Sequence, residues 1–455
     1  MTSGVVLGRF VSSSPVPAGA FSIAKDAFLD TAAVTLAGSL EAAARAVQEV
    51  AAAESRGDAC QILGTTQRAG ATWAALANGT AAHALDYDDV SLVSLMHPSS
   101  PLVSAAVAAG ELVHASGERL LTAYVVGFEI ASLLAGLLNP SHYRRGWHCT
   151  STAGTIGAAA AAARLLSLDA DGAARALSIA ASEASGLKEN FGTMTKALHA
   201  GLAARNGVLA ALLARAGLTA STAALDGPQG FLVAMDAEHR DLWTAAEGLG
   251  SRWEILEAMP AVKRYPSCAA THSTLDAVLE VRRRERISAA DVVSIDVAVD
   301  PMTPTVLIHD RPRTGLEAKF SMQFCVAAAV AHGRIDLDTF ETRTLADEGI
   351  RRVLSCTSVR VDPALGRDAL PLTEALVTFR LRDGRTVRAA ASEAHASHEG
   401  RAAALESKFR ACAARALSSG SVESALERLR SLESVPDIRM LTAGLAGVPA
   451  GAASR

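Results

Sequence analysis

From about Phe21 to Ser251, apolar residues recur at three- and four-residue spacing, the period of helices with a buried face. The pattern predicts one or two helices over Ala24–Ala53. Further helices are expected near Thr72–Leu85, Leu102–Ala115, Glu118–Leu138, Ser151–Ser167, Asp171–Glu183, Ala197–Ala216 and Ala237–Gly248. Several of these carry their own end signals. Pro101 opens one, Asp169 and Asp171 offer caps to another, and Gly217 follows Ala216 as a stop. The pattern changes near Pro260. One more helix, Thr271–Arg284, leads into Val292–Val299, whose alternation of Val and Ile predicts a strand. Glu317–Ala331 returns to the helical period, and Val353–Val361 and Ala375–Leu381 read as strands. The second of these is expected to pair with Thr386–Ala390 across an Asp383-Gly384 turn. From Ala402 the helical period returns until about Ser434, and the small-residue tail from Gly444 is expected to fray.

The order is therefore a long helical part, an α+β insert and a helical return, with the last helices expected to pack on the first domain. Composition supports this. Half of the 455 residues are hydrophobic, only 4% are aromatic, and about a fifth are alanine, the best helix former. Charge narrows the function classes. With 43 basic and 47 acidic residues the net charge is −4, which does not suggest a nucleic-acid binder, and Arg282-Arg283-Arg284 reads as a solvated face. No uncharged apolar run reaches the ~18 residues of a membrane span. Met1-Thr2-Ser3-Gly4 lacks a basic leader, so a cytoplasmic protein is expected. Six cysteines occur without any C-x-x-C, which argues against familiar zinc or iron–sulfur spacings and against disulfides. No G-x-G-x-x-G follows a predicted strand, so a nucleotide fold has no support.

In so apolar a chain, five polar clusters stand out. Asn78–Asp89 carries His83, Asp86, Asp88 and Asp89; on a continued helix His83 and Asp86 would share a face, as would Asp86 and Asp89. Three carboxylates at a helix end repel one another and oppose the helix dipole. The segment is either a solvated loop or an acid–base or metal cluster. His97 precedes Pro98 in a turn that opens a helix, where an exposed His is the ordinary reading. His148 stands with Cys149, Thr150 and Ser151 at the start of an Ala-rich helix, a position that suits an anion. Lys196 and His199 begin another Ala-rich helix, where a Lys either reaches solvent or binds a carboxylate, and His199 reads as a core residue. Lys263 and Cys268 lie in Lys263-Arg264-Tyr265-Pro266-Ser267-Cys268 at the expected domain boundary, where clefts often hold ligands. Together these cations, histidines and aspartates suit proton transfer on a small polyanion.

The same segments resemble the MmgE/PrpD family, which includes 2-methylcitrate dehydratase, cis-aconitate decarboxylase and iminodisuccinate epimerase. The motifs are NGTAAHALDYDD, HPSS, GWHCTSTAGTIGAAAAAARLL, NFGTMTKALHAGLAARNG, KRYPSCAATH and EAKFSMQF, in that order between about residues 20 and 435. The resemblance implies a mainly α fold. It places a large helical domain over residues 1–265, a smaller α+β lid domain over 266–400, and C-terminal helices over 401–455 that pack back on the helical domain. It further implies a homodimer, a site between the domains, no cofactor and no metal. It places catalytic residues at Asp86, His97, His148, Lys196 and Lys263, with Cys268 as a weaker addition. Cis-aconitate decarboxylases carry His where Cys268 stands, Tyr where Phe324 aligns and Thr where Val90 follows the aspartates, and the chain is one residue longer between Asp86 and His97.

The function expected is a cofactor-independent lyase of the 2-methylcitrate dehydratase type. It would abstract a proton next to a carboxylate of a small di- or tricarboxylate. The alternatives are an iminodisuccinate-type epimerase and a cis-aconitate-type decarboxylase. A metal enzyme built on His83, Asp86, Asp88 and Asp89, or a non-catalytic carboxylate-binding homologue, are further classes. His97 and His148 are the acid–base candidates. Lys196 and Lys263 would bind carboxylates, and Asp86 would orient a His or act as base. Cys268 could carry a proton as a thiol.

Overall fold

A computed structural model describes residues 2–367, 372–391 and 400–447. Within these the chain is mainly α. It divides into two compact units: Met1–Glu189 with Thr195–Val262 and Gly400–Arg455, and Asn190–Met194 with Lys263–Glu399.

The first unit begins with α1 (Ser3–Ser13), α2 (Ala18–Gly38), α3 (Ala42–Glu54), α4 (Ala71–His83), α5 (Ser99–Leu112) and α6 (Gly117–Leu138). It continues with α7 (Ser141–Arg144), α8 (Cys149–Leu165), α9 (Ala170–Glu183), α10 (Met194–Arg215), α11 (Phe231–Ala234), α12 (Leu242–Ala246) and α13 (Glu254–Glu257). Two short strands, β1 (Cys60–Gln61) and β2 (Arg68–Ala69), form an antiparallel pair. Helix α8 lies at the centre, packed against α5, α6 and α9. Its run Ala158–Ala163 is wholly buried, and alanines let neighbouring backbones approach closely where larger side chains would hold them apart. Asp169 caps α9 by accepting from Gly172 N at 2.7 Å, and Gly217 stops the chain after α10 with φ +93°.

The second unit contains α14 (His272–Glu285), α15 (Gly315–Ala318), α16 (Met322–His332) and α17 (Glu348–Ser355), with β3 (Val292–Val299), β4 (Thr357–Val361), β5 (Ala375–Leu381) and β6 (Thr386–Ala391). The four strands form one sheet in the order β4-β3-β5-β6, with β3 and β4 parallel and the other pairs antiparallel. Val297 stands opposite Val359 on one side and Val377 on the other. Ile295, Val297, Val377 and Phe379 are fully buried, while α14 and α16 pack against the sheet. Three helices of the first unit close the chain: α18 (Arg401–Ala413), α19 (Ser419–Arg430) and α20 (Arg439–Gly444). Helix α18 packs on α2, where Lys408 forms a buried ion pair with Asp30 at 2.6 Å.

The structure departs from the sequence expectations at several points. Helix α1 is additional; two glycines and three serines in it weaken the helical signal. Between Ala237 and Gly248 only α12 is helical, starting after the Asp241 cap. Val353–Val361 is not one strand. Asp347 caps α17 by accepting from Ile350 N, the helix runs to Ser355, and only Thr357–Val361 is extended. Glu317–Ala331 is broken into α15 and α16 by the Ser321 cap. Residues 444–447 are tied down rather than frayed: Gly64 N donates to Leu445 O at 2.9 Å and Gly447 N to Thr65 O at 3.1 Å. The rest of the tail lies outside the described residues. Helices α6 and α10 are long and apolar enough to cross a membrane by length and composition, yet 83% and 61% of their apolar windows are buried within the protein. In α6, buried Glu129 accepts from the N–H groups of Glu254 and Ile255, the pattern of a core helix.

Candidate active site

The Asn78–Asp89 segment is neither a continued helix nor a solvated loop. Helix α4 ends at His83, and Asp86 takes a left-handed conformation with φ 51°. The chain then returns through Val90, bridged to Ala261, and Ser91, bridged to Met96. The three aspartates are thus distributed by the turn rather than stacked on a helix face, and all three are at most 3% exposed.

The turn gives each aspartate a different job. Asp88 accepts from His83 Nδ1 at 2.9 Å and from Ser100 Oγ at 2.5 Å. Burial pushes its carboxyl up, but His83 and His97 beside it outweigh that and hold it well below the usual range. Asp86 accepts from Lys196 Nζ at 2.7 Å. Asp89 turns away from the others. It accepts from the backbone and hydroxyl of Ser99, whose oxygen also meets Tyr124 at 2.7 Å. Burial, then the nearby Asp30, push Asp89 up to about 8. Asp89 therefore leaves the set first considered for a metal.

Lys196 joins two helices chemically. Its ammonium lies 2.8 Å from His83 Nε2 as well as 2.7 Å from Asp86. An ammonium has only donors, so His83 Nε2 must accept, and His83 carries its proton on Nδ1 toward Asp88. The result is a buried chain of alternating groups: Asp88, His83, Lys196, Asp86. His97 lies beside it, with Nδ1 3.4 Å from Asp88 and Nε2 3.7 Å from Asp86. The backbone N–H of His97 donates to Thr150 Oγ1 at 2.9 Å, fixing the turn to the first turn of α8. His97 is thus part of the cluster and not an exposed turn residue.

His148 immediately precedes α8, and its ring stacks on that of His83 with centroids 5.7 Å apart. Its Nδ1 lies 3.0 Å from Nδ1 of His199, one turn along α10 from Lys196. Burial, then Lys196, hold His148 well below the usual imidazole range; burial brings His83 and His199 down to about 4. These rings are neutral over the physiological range, as acid–base groups that accept protons must be.

What brings α4 and α10 so close is the absence of side chains. A Cβ on Gly79 would stand 2.8 Å from Gly201 Cα, and one on Gly201 would stand 2.2 Å from Thr80 Oγ1 and 2.4 Å from Leu76 O. The two backbones touch, which sets His83 and Lys196 within hydrogen-bond reach.

His83, Asp86, Asp88 and His97 each offer an atom, all within 4.8 Å of one another, a donor set that a divalent ion such as zinc accepts. The ammonium of Lys196 contacts two of the four, so the positive charge a metal would supply is already provided by the chain.

Lys263 and Cys268 belong to the second unit. Lys263 is 2% exposed and its ammonium donates to Ser267 O at 3.0 Å. Cys268 is buried next to it, its N–H donating to Lys319 O, while the Lys319 ammonium donates to Pro266 O at 2.8 Å. Phe324 is buried on α16 near Phe340, and Val90 is held through its backbone. The structure thus unites Asp86, His97, His148 and Lys196 in the first unit and places Lys263 with Cys268 in the second. Sequence reasoning named His83 and Asp88 only as members of an acid–base or metal cluster and read His199 as a core residue; Ser100, in the HPSS motif, was given no role.

Comparison with known proteins shows the family. The MmgE/PrpD N-terminal domain matches residues 9–241, and the MmgE/PrpD C-terminal domain matches residues 265–433. Cis-aconitate decarboxylase of Homo sapiens is 32% identical over 392 residues, covering 83% of this chain and 79% of its own. The Mus musculus enzyme of the same name is 30% identical, covering 83% and 78%. A cis-aconitate decarboxylase-like protein of Aspergillus oryzae is 28% identical, covering 82% of each chain. Both halves of the chain match, in order, and the chain belongs to the MmgE/PrpD family.

Proposed function

We propose that this family member is a cofactor-independent lyase that removes a proton next to a carboxylate of a small di- or tricarboxylate and expels a β-substituent. The observation that carries this is the buried ammonium of Lys196, held between Asp86 and His83 beside the rings of His97 and His148. A neutral buried imidazole takes the proton. The electron pair left on carbon spreads into the adjacent carboxylate as an enolate, and Lys196 stabilises its charge. Return of the proton to the leaving oxygen completes an elimination. Asp86 positions Lys196, and Asp88 keeps His83 in the tautomer that accepts from it. Lys263 enters the proposal as a carboxylate ligand, and Cys268 as a weaker proton carrier, through the family resemblance. A metal reading of the same cluster competes with Lys196 for its donors and is the less favoured. The relatives named above are decarboxylases, so the bond broken after proton transfer is the point to test.

The purified protein is incubated with 2-methylcitrate, cis-aconitate and iminodisuccinate in deuterated water and followed by NMR. Alkene formation from the hydroxy acid supports the proposed elimination. Deuterium uptake with inversion and no alkene assigns an epimerase, and loss of carbon dioxide assigns a decarboxylase. If His148→Ala and Lys196→Ala leave both turnover and ligand binding intact, the site itself is misassigned.

A further inference from the structure

We propose that His199 is a positioning residue that fixes the tautomer of His148 and makes the two rings act as one base; this rests on the role given to His148 above. The observation is the approach of Nδ1 to Nδ1 at 3.0 Å, between rings whose centroids are 5.3 Å apart. Both residues are buried, at 2% and 4% exposure. A hydrogen bond between two imidazole nitrogens needs one donor and one acceptor. The contact therefore holds a single Nδ1–H. Two neutral rings with both nitrogens bare, or two imidazolium rings, would break it.

The surrounding backbone imposes this contact. The N–H of His148 donates to Gly186 O at 3.0 Å, and Ser151 Oγ donates to His199 O at 3.2 Å. Gly186 has φ +131°, a conformation left to glycine, and a Cβ there would stand 2.7 Å from Ser151 Cβ and 3.5 Å from the His199 ring. The segment around Gly186 thus lies directly on the pair and holds the two rings together.

For His148 to accept a substrate proton, Nε2 must hold the lone pair, so Nδ1 carries the hydrogen and His199 Nδ1 accepts it. On turnover the carbon–hydrogen bond breaks, its electron pair stays on the substrate as the enolate, and the proton goes to His148 Nε2. The resulting imidazolium keeps its Nδ1–H bond to neutral His199, which carries its own hydrogen on Nε2. The pair thus holds one added proton and no more. Lys196, His83, His199 and His97 are among the groups that face His148. In the Nδ1–Nδ1 contact His199 takes the acceptor role that a buried aspartate fills elsewhere.

The test uses the full-length protein with ¹⁵N-labelled histidine. In the substrate-free wild type at neutral pH, His148 should show a protonated Nδ1 and an unprotonated Nε2, coupled to an unprotonated Nδ1 on His199. The reverse assignment at His148 would overturn the proposal. His199→Phe removes the acceptor and should lower kcat by about 10- to 100-fold with KM changed by less than about threefold. It should also move the acid limb of the kcat profile to lower pH, because the His148 cation loses its partner. His199→Asn, whose side-chain oxygen can accept, should recover most of kcat and the wild-type limb, and it decides the matter if the Phe variant does not fold. Wild-type kcat and an unchanged pH profile in both variants would refute the role. Turnover surviving His148→Gln would instead count against the proposed function, while the NMR signature of the pair is read without substrate.

Discussion

At Lys196 a single ammonium satisfies a carboxylate and an imidazole that come from one turn. Removing it leaves Asp86 buried beside a His83 nitrogen with nothing to accept. Lys196→Ala is expected to lower kcat by about 10²- to 10³-fold, and Lys196→Arg not to rescue it, because a planar fork cannot take the place of a point donor in this space. Steady-state turnover on the substrate identified by NMR measures both; rescue by Arg would mean the charge alone matters. Dialysis against a chelator is expected to leave turnover unchanged, whereas recovery on adding zinc would restore the metal reading. The histidines also make a prediction about stability. Burial holds His83, His142 and His199 down at about 4, below the ordinary 6.5. Above pH 6.5 each is neutral folded and unfolded. As pH falls from about 6.5 to 4 the unfolded chain gains protons the folded chain refuses, so stability drops across that window. His142, fully buried between Met235 O and Thr152 Oγ1, contributes on the order of 3 kcal/mol of this loss. Urea titrations at several pH values should find the slope, and His142→Gln should flatten part of it. Most of these residues were visible in the sequence as polar islands in apolar text. Their division of labour was not, because the left-handed Asp86 breaks the helical spacing on which the face argument relied.

Among the elements, strands β3 and β5 and most helices were legible because one face of each is buried and the period records it. The misread stretches fail for local reasons. The β-branched Val353 in α17 looks like a strand, while the decisive group is the Asp347 carboxylate at the helix start. The crossing of α4 and α10 left a trace only as Gly79 and Gly201, which in sequence are indistinguishable from other glycines of the chain. Gly201→Ala would place a methyl against Thr80 Oγ1 and Leu76 O. It is expected to cost about 1–3 kcal/mol and to lower kcat more than the loss of folded protein explains, since the helix carrying Lys196 must shift. Thermal denaturation and turnover of the same preparation separate the two effects; a stable variant of normal activity would contradict the account of the crossing.

For the molecule as a whole, the C-terminal helices are tied to the first unit by charge as well as by apolar packing. Lys408 on α18 pairs with Asp30 on α2 and donates to Tyr87 O at 2.6 Å, directly beside the DYDD turn. Asp30 is wholly buried. No periodicity could announce a pair 378 positions apart, although an acid inside the apolar run Phe28–Leu36 of α2 hints that a partner exists. Lys408→Met should destabilise the protein by about 3–5 kcal/mol at neutral pH by stranding the Asp30 carboxylate. The loss should shrink as pH falls and that carboxyl, which burial pushes up, takes up a proton; urea unfolding at neutral and acidic pH checks it. A pH-independent loss would point to packing instead of charge.

The Gly79–Gly201 contact has one more consequence. Because main chain touches main chain there, the spacing of ammonium and imidazole does not depend on the size of any neighbouring side chain. Substitutions elsewhere in this alanine-rich interior can reshape the space offered to a substrate while the proton-handling geometry stays where it is. Substrate choice and chemical step are thereby separable by mutation, and the substrate range of such a scaffold can diverge without rebuilding its reactive centre.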